Sequence, residues 1–228
     1  MQQFRYIFPI VVLVALTGCQ SNQKVEDRLV AAFGETMFDA GSASHGQGEM
    51  LSRSGILAKW ESPITVAVVE GDTPKNIALA KVTLTELAEL GGLELEWAEL
   101  GTSGIELEIY FSDKRQFVIN GNQLASCYAR TGGTPNGRLT AAGIYISADG
   151  EGDWRTDCLT HELLHALGWR GHTHRVRSVI SYVHGETELT KWDRMMMRAL
   201  YDPRLPPGIS KADALPVIRV IFHEMIKE

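Results

Sequence analysis

Two histidines and a glutamate stand at helical spacing in His161-Glu162-Leu163-Leu164-His165. Residues four apart lie on one face of an α-helix, a turn from each other, so both imidazoles can aim a nitrogen at one ion. Glu162 projects close to the same point without being needed as a ligand. That is the place for a carboxylate that takes a proton from a metal-activated water. Zinc suits such a site, because it binds imidazole and lowers the pKa of water towards neutrality while the carboxylate completes the activation. The helix is expected to stop at Gly168, and Trp169-Arg170-Gly171-His172-Thr173-His174 offers further imidazoles just beyond it. His172 is the expected third ligand and His174 the alternative. Three protein ligands with one open position is the pattern of catalytic rather than structural zinc. The competing reading is an amphipathic helix whose histidines are capped or solvated.

The run HELLHALG followed by a histidine resembles the metzincin class of zinc peptidases, in which a glycine ends the helix and bends the chain so that a third histidine reaches the metal. The spacing departs by one residue: metzincins place that ligand three after the glycine, where this chain has Gly171, and His172 is four after. Further on, Ser178-Val179-Ile180-Ser181-Tyr182 is similar to the metzincin turn that carries a methionine beneath the zinc and, in astacin-like and serralysin-like members, a tyrosine. Ile180 stands in the methionine's place. Tyr182 keeps the tyrosine's, from which a phenol can steady an oxyanion; its alternative is simple packing at a strand end. The stretch from Leu189-Thr190-Lys191-Trp192-Asp193 to Leu200-Tyr201 is similar to the helix that closes the domain in matrixin-like proteins, and Met195 to Met197 in it are expected to pack the core.

Leu200 to Leu205, with Cys127, Cys158 and the strand at Pro63, also resembles an uncharacterised bacterial family of metzincin-like proteins that are secreted or lipid-anchored. The resemblance runs from Trp60 to Pro207. It implies an α+β, zincin-like fold: a mixed twisted sheet, an active-site helix and a C-terminal helical part. It also implies one zinc per chain on His161, His165 and His172, with Glu162 as general base and Tyr182 beside the reacting carbonyl.

The amino terminus reads as a targeting segment, with Arg5 followed by an apolar run from Ile7 to Leu16 that is too short for a full span. It ends in Leu16-Thr17-Gly18-Cys19, which resembles the bacterial lipobox. That resemblance implies cleavage before Cys19, acylation of its thiol, and a protein held on a lipid bilayer by acyl chains outside the cytoplasm. A short transmembrane anchor is the alternative. Gln20 is not the aspartate associated with inner-membrane retention, so the outer membrane is expected in a Gram-negative cell. The expected organisation is a signal peptide over 1–18, a tether and linker over 19–59, and the zinc-binding catalytic domain over 60–228.

Setting Cys19 aside leaves Cys127 and Cys158, an even pair in an oxidising compartment, and a disulfide is expected. Closing that loop would contribute roughly 3 to 4 kcal/mol in the chain-entropy model. Two buried thiols are the alternative. A net charge of -6 gives no broad basic surface, which excludes a nucleic-acid partner held by charge.

The elements that must carry these residues follow from periodicity. A helix is expected from Lys24 to Phe33, and Gly41 to Gly48, with His45 solvated in it, reads as a loop. Ile64, Val66 and Val68 alternate as a strand; Asp72-Thr73-Pro74 then starts a helix that Gly91-Gly92 ends, with Ile77, Leu79, Val82, Leu84, Leu87 and Leu90 as its apolar face. Leu93 to Trp97 and Ile105 to Phe111 alternate as strands, which puts Glu94, Glu96, Glu106 and Glu108 on a solvated face; a metal or a basic peptide is the alternative use of those carboxylates. A strand at Gly143 to Ser147 precedes the active-site helix from Trp154 to Leu167, and a last helix is expected from Pro216 to Ile226. His184 and His223 read as incidental.

Together these point to a peptidase whose substrate is a peptide or protein of the cell envelope. Two alternatives keep the metal: a non-catalytic zinc-containing envelope lipoprotein acting as a binding or scaffold module, and a hydrolase of amides in peptidoglycan or another envelope polymer.

Overall fold

The computed structural model describes residues 13–39, 55–61, 63–99, 101–119, 123–148 and 154–227. Residues 1–12 of the signal peptide expected over 1–18 lie outside them, as do the loop expected from Gly41 to Gly48 with His45 and the side chain of Cys19. The elements are α1 (Leu13–Phe38), β1 (Ile64–Glu70), α2 (Pro74–Gly91), β2 (Leu95–Trp97), β3 (Leu107–Phe111), β4 (Phe117–Ile119), β5 (Gln123–Ala125), β6 (Cys127–Gly133), β7 (Leu139–Ile146), α3 (Trp154–Ala166), α4 (Lys191–Leu200) and α5 (Lys211–Lys227). This is an α+β architecture with a mixed sheet.

The five-stranded sheet has the order β2-β1-β3-β7-β6. Its first four strands are parallel, and β6 at the edge runs antiparallel to β7. Because successive side chains point to opposite faces, Val66, Val68, Leu107, Ile109, Ile144 and Ile146 form one apolar face, and all are buried. Helix α3 lies against β6 and β7. Beside the sheet, β4 and β5 form a small antiparallel hairpin.

Local chemistry explains the ends of α2. The Thr73 side chain caps the Asn76 N–H, Pro74 takes the first turn where no amide donor is needed, and Gly92 closes the helix at φ 63. The apolar face differs from expectation at Val82, which is 71% exposed. Two residues from Leu84, it lies about 200° round the helix from that buried side chain. Ala80, Thr83 and Ala88 are buried instead, since small residues let the neighbouring elements approach closely.

Three other expectations change. Helix α1 extends well beyond Lys24 to Phe33, and Leu29, Phe33, Met37 and Phe38 are buried in the main core, so the stretch read as a tether contributes packing. Helix α5 starts at Lys211, not at Pro216. Ser210 accepts the Asp213 N–H at 3.2 Å, and Pro216 then removes one amide donor without breaking the helix. Strand β7 begins at Leu139, four residues before Gly143: Ala141 and Ala142 have little intrinsic strand preference and are held in the strand by pairing with β3 and β6.

Candidate metal centre

His161 and His165 sit a turn apart on α3, and the chain beyond the helix brings a third imidazole to them. Gly168 adopts φ 113, a conformation side chains other than glycine's rarely tolerate, and a Cβ there would lie 2.4 Å from the Ala58 carbonyl oxygen. Past this bend the amides of Arg170 and Gly171 donate to the Thr36 carbonyl at the end of α1, at 2.6 and 2.9 Å. The next residue is His172. Its Nε2 lies 3.1 Å from Nε2 of His161 and 3.3 Å from Nε2 of His165.

The remaining nitrogens fix the tautomers of the two helical histidines. His161 Nδ1 is 3.0 Å from the Val179 carbonyl, and His165 Nδ1 is 2.6 Å from the Trp169 carbonyl. A carbonyl can only accept, so each Nδ1 carries the proton and each Nε2 presents a lone pair to the shared centre. This is the arrangement of metal-ligating histidines, whose outer N–H is held by a backbone carbonyl. The donor set fits a divalent metal ion that accepts imidazole. Among the described residues this is the one group of three or more His, Cys, Asp or Glu side chains able to hold a metal ion. His174 is not part of it: its Nδ1 lies 3.1 Å from the Ser181 hydroxyl, and the ring is exposed. Of the two expected candidates, the structure brings His172 and not His174 to the helical pair.

Glu162 is buried at the edge of this cluster. Burial, opposed in part by a hydrogen bond from the Ala129 N–H of strand β6, pushes its carboxyl up to about 8. The Tyr182 ring lies against the cluster, stacked on His172 at 4.3 Å and on His161 at 5.6 Å. Desolvation and then the nearby Glu162 charge raise its phenol above the ordinary range. Sequence reasoning thus named every ring in the centre, and the structure brings them together.

It did not name what holds them. Ile180, in the place of the metzincin methionine, is fully buried beneath the turn 178–182. That turn is tied to Asp193, on the first turn of α4: the carboxylate accepts from the Ser178 hydroxyl, from the Val179 N–H at 3.3 Å and from the Thr190 N–H at 2.8 Å. Since the Val179 carbonyl holds His161, Asp193 supports a candidate ligand through a single residue. The available signal was the Thr190-x-x-Asp193 capping box, which the structure contains.

Cys127 and Cys158 form a disulfide with a Cα–Cα separation of 6.2 Å. It lies in the wall of a cleft of about 390 Å³ beside the histidines, lined also by Leu124, Trp154, Asp157, Glu162, Val179 and Glu186. The sheet-face glutamates stand elsewhere: Glu106 accepts the Thr65 N–H at 3.1 Å and Glu108 the Tyr110 hydroxyl at 2.7 Å, while Glu94 and Glu96 are exposed. His223 pairs with Glu26 at 3.0 Å and His184 is outside the cluster.

A family model matches residues 26–220. The chain belongs to the DUF2927 family of proteins of unknown function. The matched region of this DUF2927 chain takes in the second half of α1, the sheet, all three clustered histidines and most of α5. No curated protein matches the DUF2927 chain.

Proposed function

We propose that this protein is a zinc-dependent hydrolase of amide bonds, a metzincin-like peptidase with a zincin-like fold. The observation that carries the reading is the convergence of three imidazole Nε2 atoms beside one buried carboxylate. His161, His165 and His172 would hold zinc. The metal, when bound, supplies a Lewis acid that polarises a carbonyl and makes water a stronger acid.

The chain's own residues do the rest. Glu162, short of solvation and therefore eager for a proton, takes one from the attacking water and passes it to the departing nitrogen. Tyr182, with its phenol held protonated, would donate a hydrogen bond to the carbonyl oxygen as negative charge grows there. The antiparallel edge strand β6 borders the cleft, and an extended peptide is the substrate shape such an edge accommodates. Leu124 and Tyr182, both exposed large apolar side chains, flank that groove and favour a substrate with apolar residues. We place the protein in the bacterial cell envelope, tethered through an acylated Cys19 that the lipobox-like Leu16-Thr17-Gly18-Cys19 would supply. Among the described residues no helix is long and apolar enough to cross a membrane.

The test is elemental analysis of the purified chain together with casein hydrolysis. About one zinc per chain is expected, as for a catalytic site with three protein ligands, and it should be lost in His165→Ala and His172→Ala. Hydrolysis should vanish in Glu162→Ala while the metal stays. Zinc without hydrolysis would move the reading to a binding or scaffold lipoprotein or to an envelope-polymer amide. Absence of tightly bound metal would sink it.

A further inference from the structure

The Cys127–Cys158 bridge joins the two elements that meet at Glu162. Cys127 begins the edge strand β6, and Ala129, two residues on, shares its face of the strand and directs its N–H to the Glu162 carboxylate. Cys158 lies on α3 one turn before Glu162, so it shares that residue's face of the helix. Both cysteines and Glu162 line the same cleft. Ala129 is buried and Cys127 only half so, which leaves the bond reachable from the cleft while the amide it stations is enclosed.

From this geometry we propose that the disulfide is a redox-controlled positioning link for Glu162. It keeps β6 seated on α3, so that the Ala129 amide holds the carboxylate in place; opening the bond frees the strand edge and switches the site off without removing the metal ligands. None of the clustered histidines lies on β6: two are on α3 and the third follows it. Opening requires two electrons and two protons. A dithiol donates both, its own sulfurs joining as a disulfide while Cys127 and Cys158 become thiols. The regulatory part of this inference rests on the peptidase reading; the positioning part does not.

The experiment uses the zinc-loaded full chain, oxidised and then reduced with tris(carboxyethyl)phosphine, which with water becomes the phosphine oxide as the bond becomes two thiols. Amide hydrogen exchange across residues 127–133, metal content and casein hydrolysis are read on the same samples. Reduction is expected to speed exchange in β6 about tenfold, a local opening, and to leave the metal in place. It should lower kcat about tenfold with KM little changed, all reversed by reoxidation. The pair Cys127→Ser and Cys158→Ser should match the reduced protein. If β6 exchange is unchanged by reduction, or if the metal leaves with the bond, the proposal is overturned. It is also overturned if exchange speeds while hydrolysis is undiminished. Faster exchange with retained metal in a chain that hydrolyses nothing even when oxidised would uphold the positioning link and reject the peptidase reading instead.

Discussion

At the residue scale the centre is defined by which atoms have somewhere else to go. His161 and His165 each commit Nδ1 to a carbonyl and His174 commits to Ser181, so the lone pairs left facing one another belong to the helical pair, with His172 Nε2 beside them. Glu162 adds a carboxylate whose burial makes it a better base than a solvated one. Glu162→Gln keeps shape and metal but cannot take a proton; on the proposed mechanism, casein hydrolysis should fall by about 10³ with zinc content unchanged by elemental analysis. Tyr182→Phe keeps the ring that stacks on His172 and removes only the donor. Its kcat should fall by about 10² with KM near the parent value, which steady-state kinetics would read directly. A drop confined to KM would mean that the phenol binds substrate in its ground state and does not stabilise charge.

Elements hold these residues through contacts that a linear pattern records unevenly. The i, i+4 histidines, the glycine that ends α3 and the threonine-proline start of α2 were legible because each is a local rule: a helical period, a left-handed bend, a cap. Strand β6 was not, since Ala129, Gly132 and Gly133 carry no alternating apolar signal and the strand is defined by its partner β7. The turn after it was signalled by Pro135-Asn136-Gly137, flanked by segments too small in side chain to read as strands. Asp193 marks the same divide. Its capping role is visible in sequence, but its grip on the turn 178–182 depends on tertiary packing. With four donors converging on a fully buried carboxylate, Asp193→Ala strands the Ser178 hydroxyl and the Val179 N–H. The expected cost is about 2–4 kcal/mol by urea unfolding, because buried partners are left unsatisfied. Metal affinity should also weaken by about 10- to 100-fold, since Val179 holds His161. Lost stability with unaltered metal affinity would show that the turn does not transmit to the ligand.

Across the whole molecule, the two terminal helices pack on each other and on α4, and the first of them supports the loop that carries His172. Helix α1 packs on α5 through Phe33 against Phe222 at 6.0 Å, and Thr36 at its end receives the loop that leads to His172. The segment around Leu57 and Lys59 bonds to both the Gly137 turn and the approach to α5, and buried Lys59 donates to the Leu200 carbonyl at 3.3 Å at the end of α4. None of this packing was legible from periodicity, because it joins segments far apart in the chain. The same corner contributes to the pH dependence of folding. Arg204 makes paired bonds to Asp202, each 2.9 Å, and reaches Glu224 on α5, so the hydrogen bonds from Arg204 hold the Asp202 carboxyl below the usual carboxylate range. A carboxyl depressed in the folded state contributes stability that is fully present above its unfolded pKa and is lost as pH falls through the lower folded value. Asp202→Asn should therefore lower Tm by about 1–3 °C at neutral pH, the modest effect of a partly exposed ion pair. In calorimetric scans from neutral to acid pH, the gap between the parent and Asp202→Asn should close only once the parent's carboxylate is itself protonated. A gap that stays constant to the acid end would mean that Asp202 acts through packing at the α4–α5 corner and not through its charge.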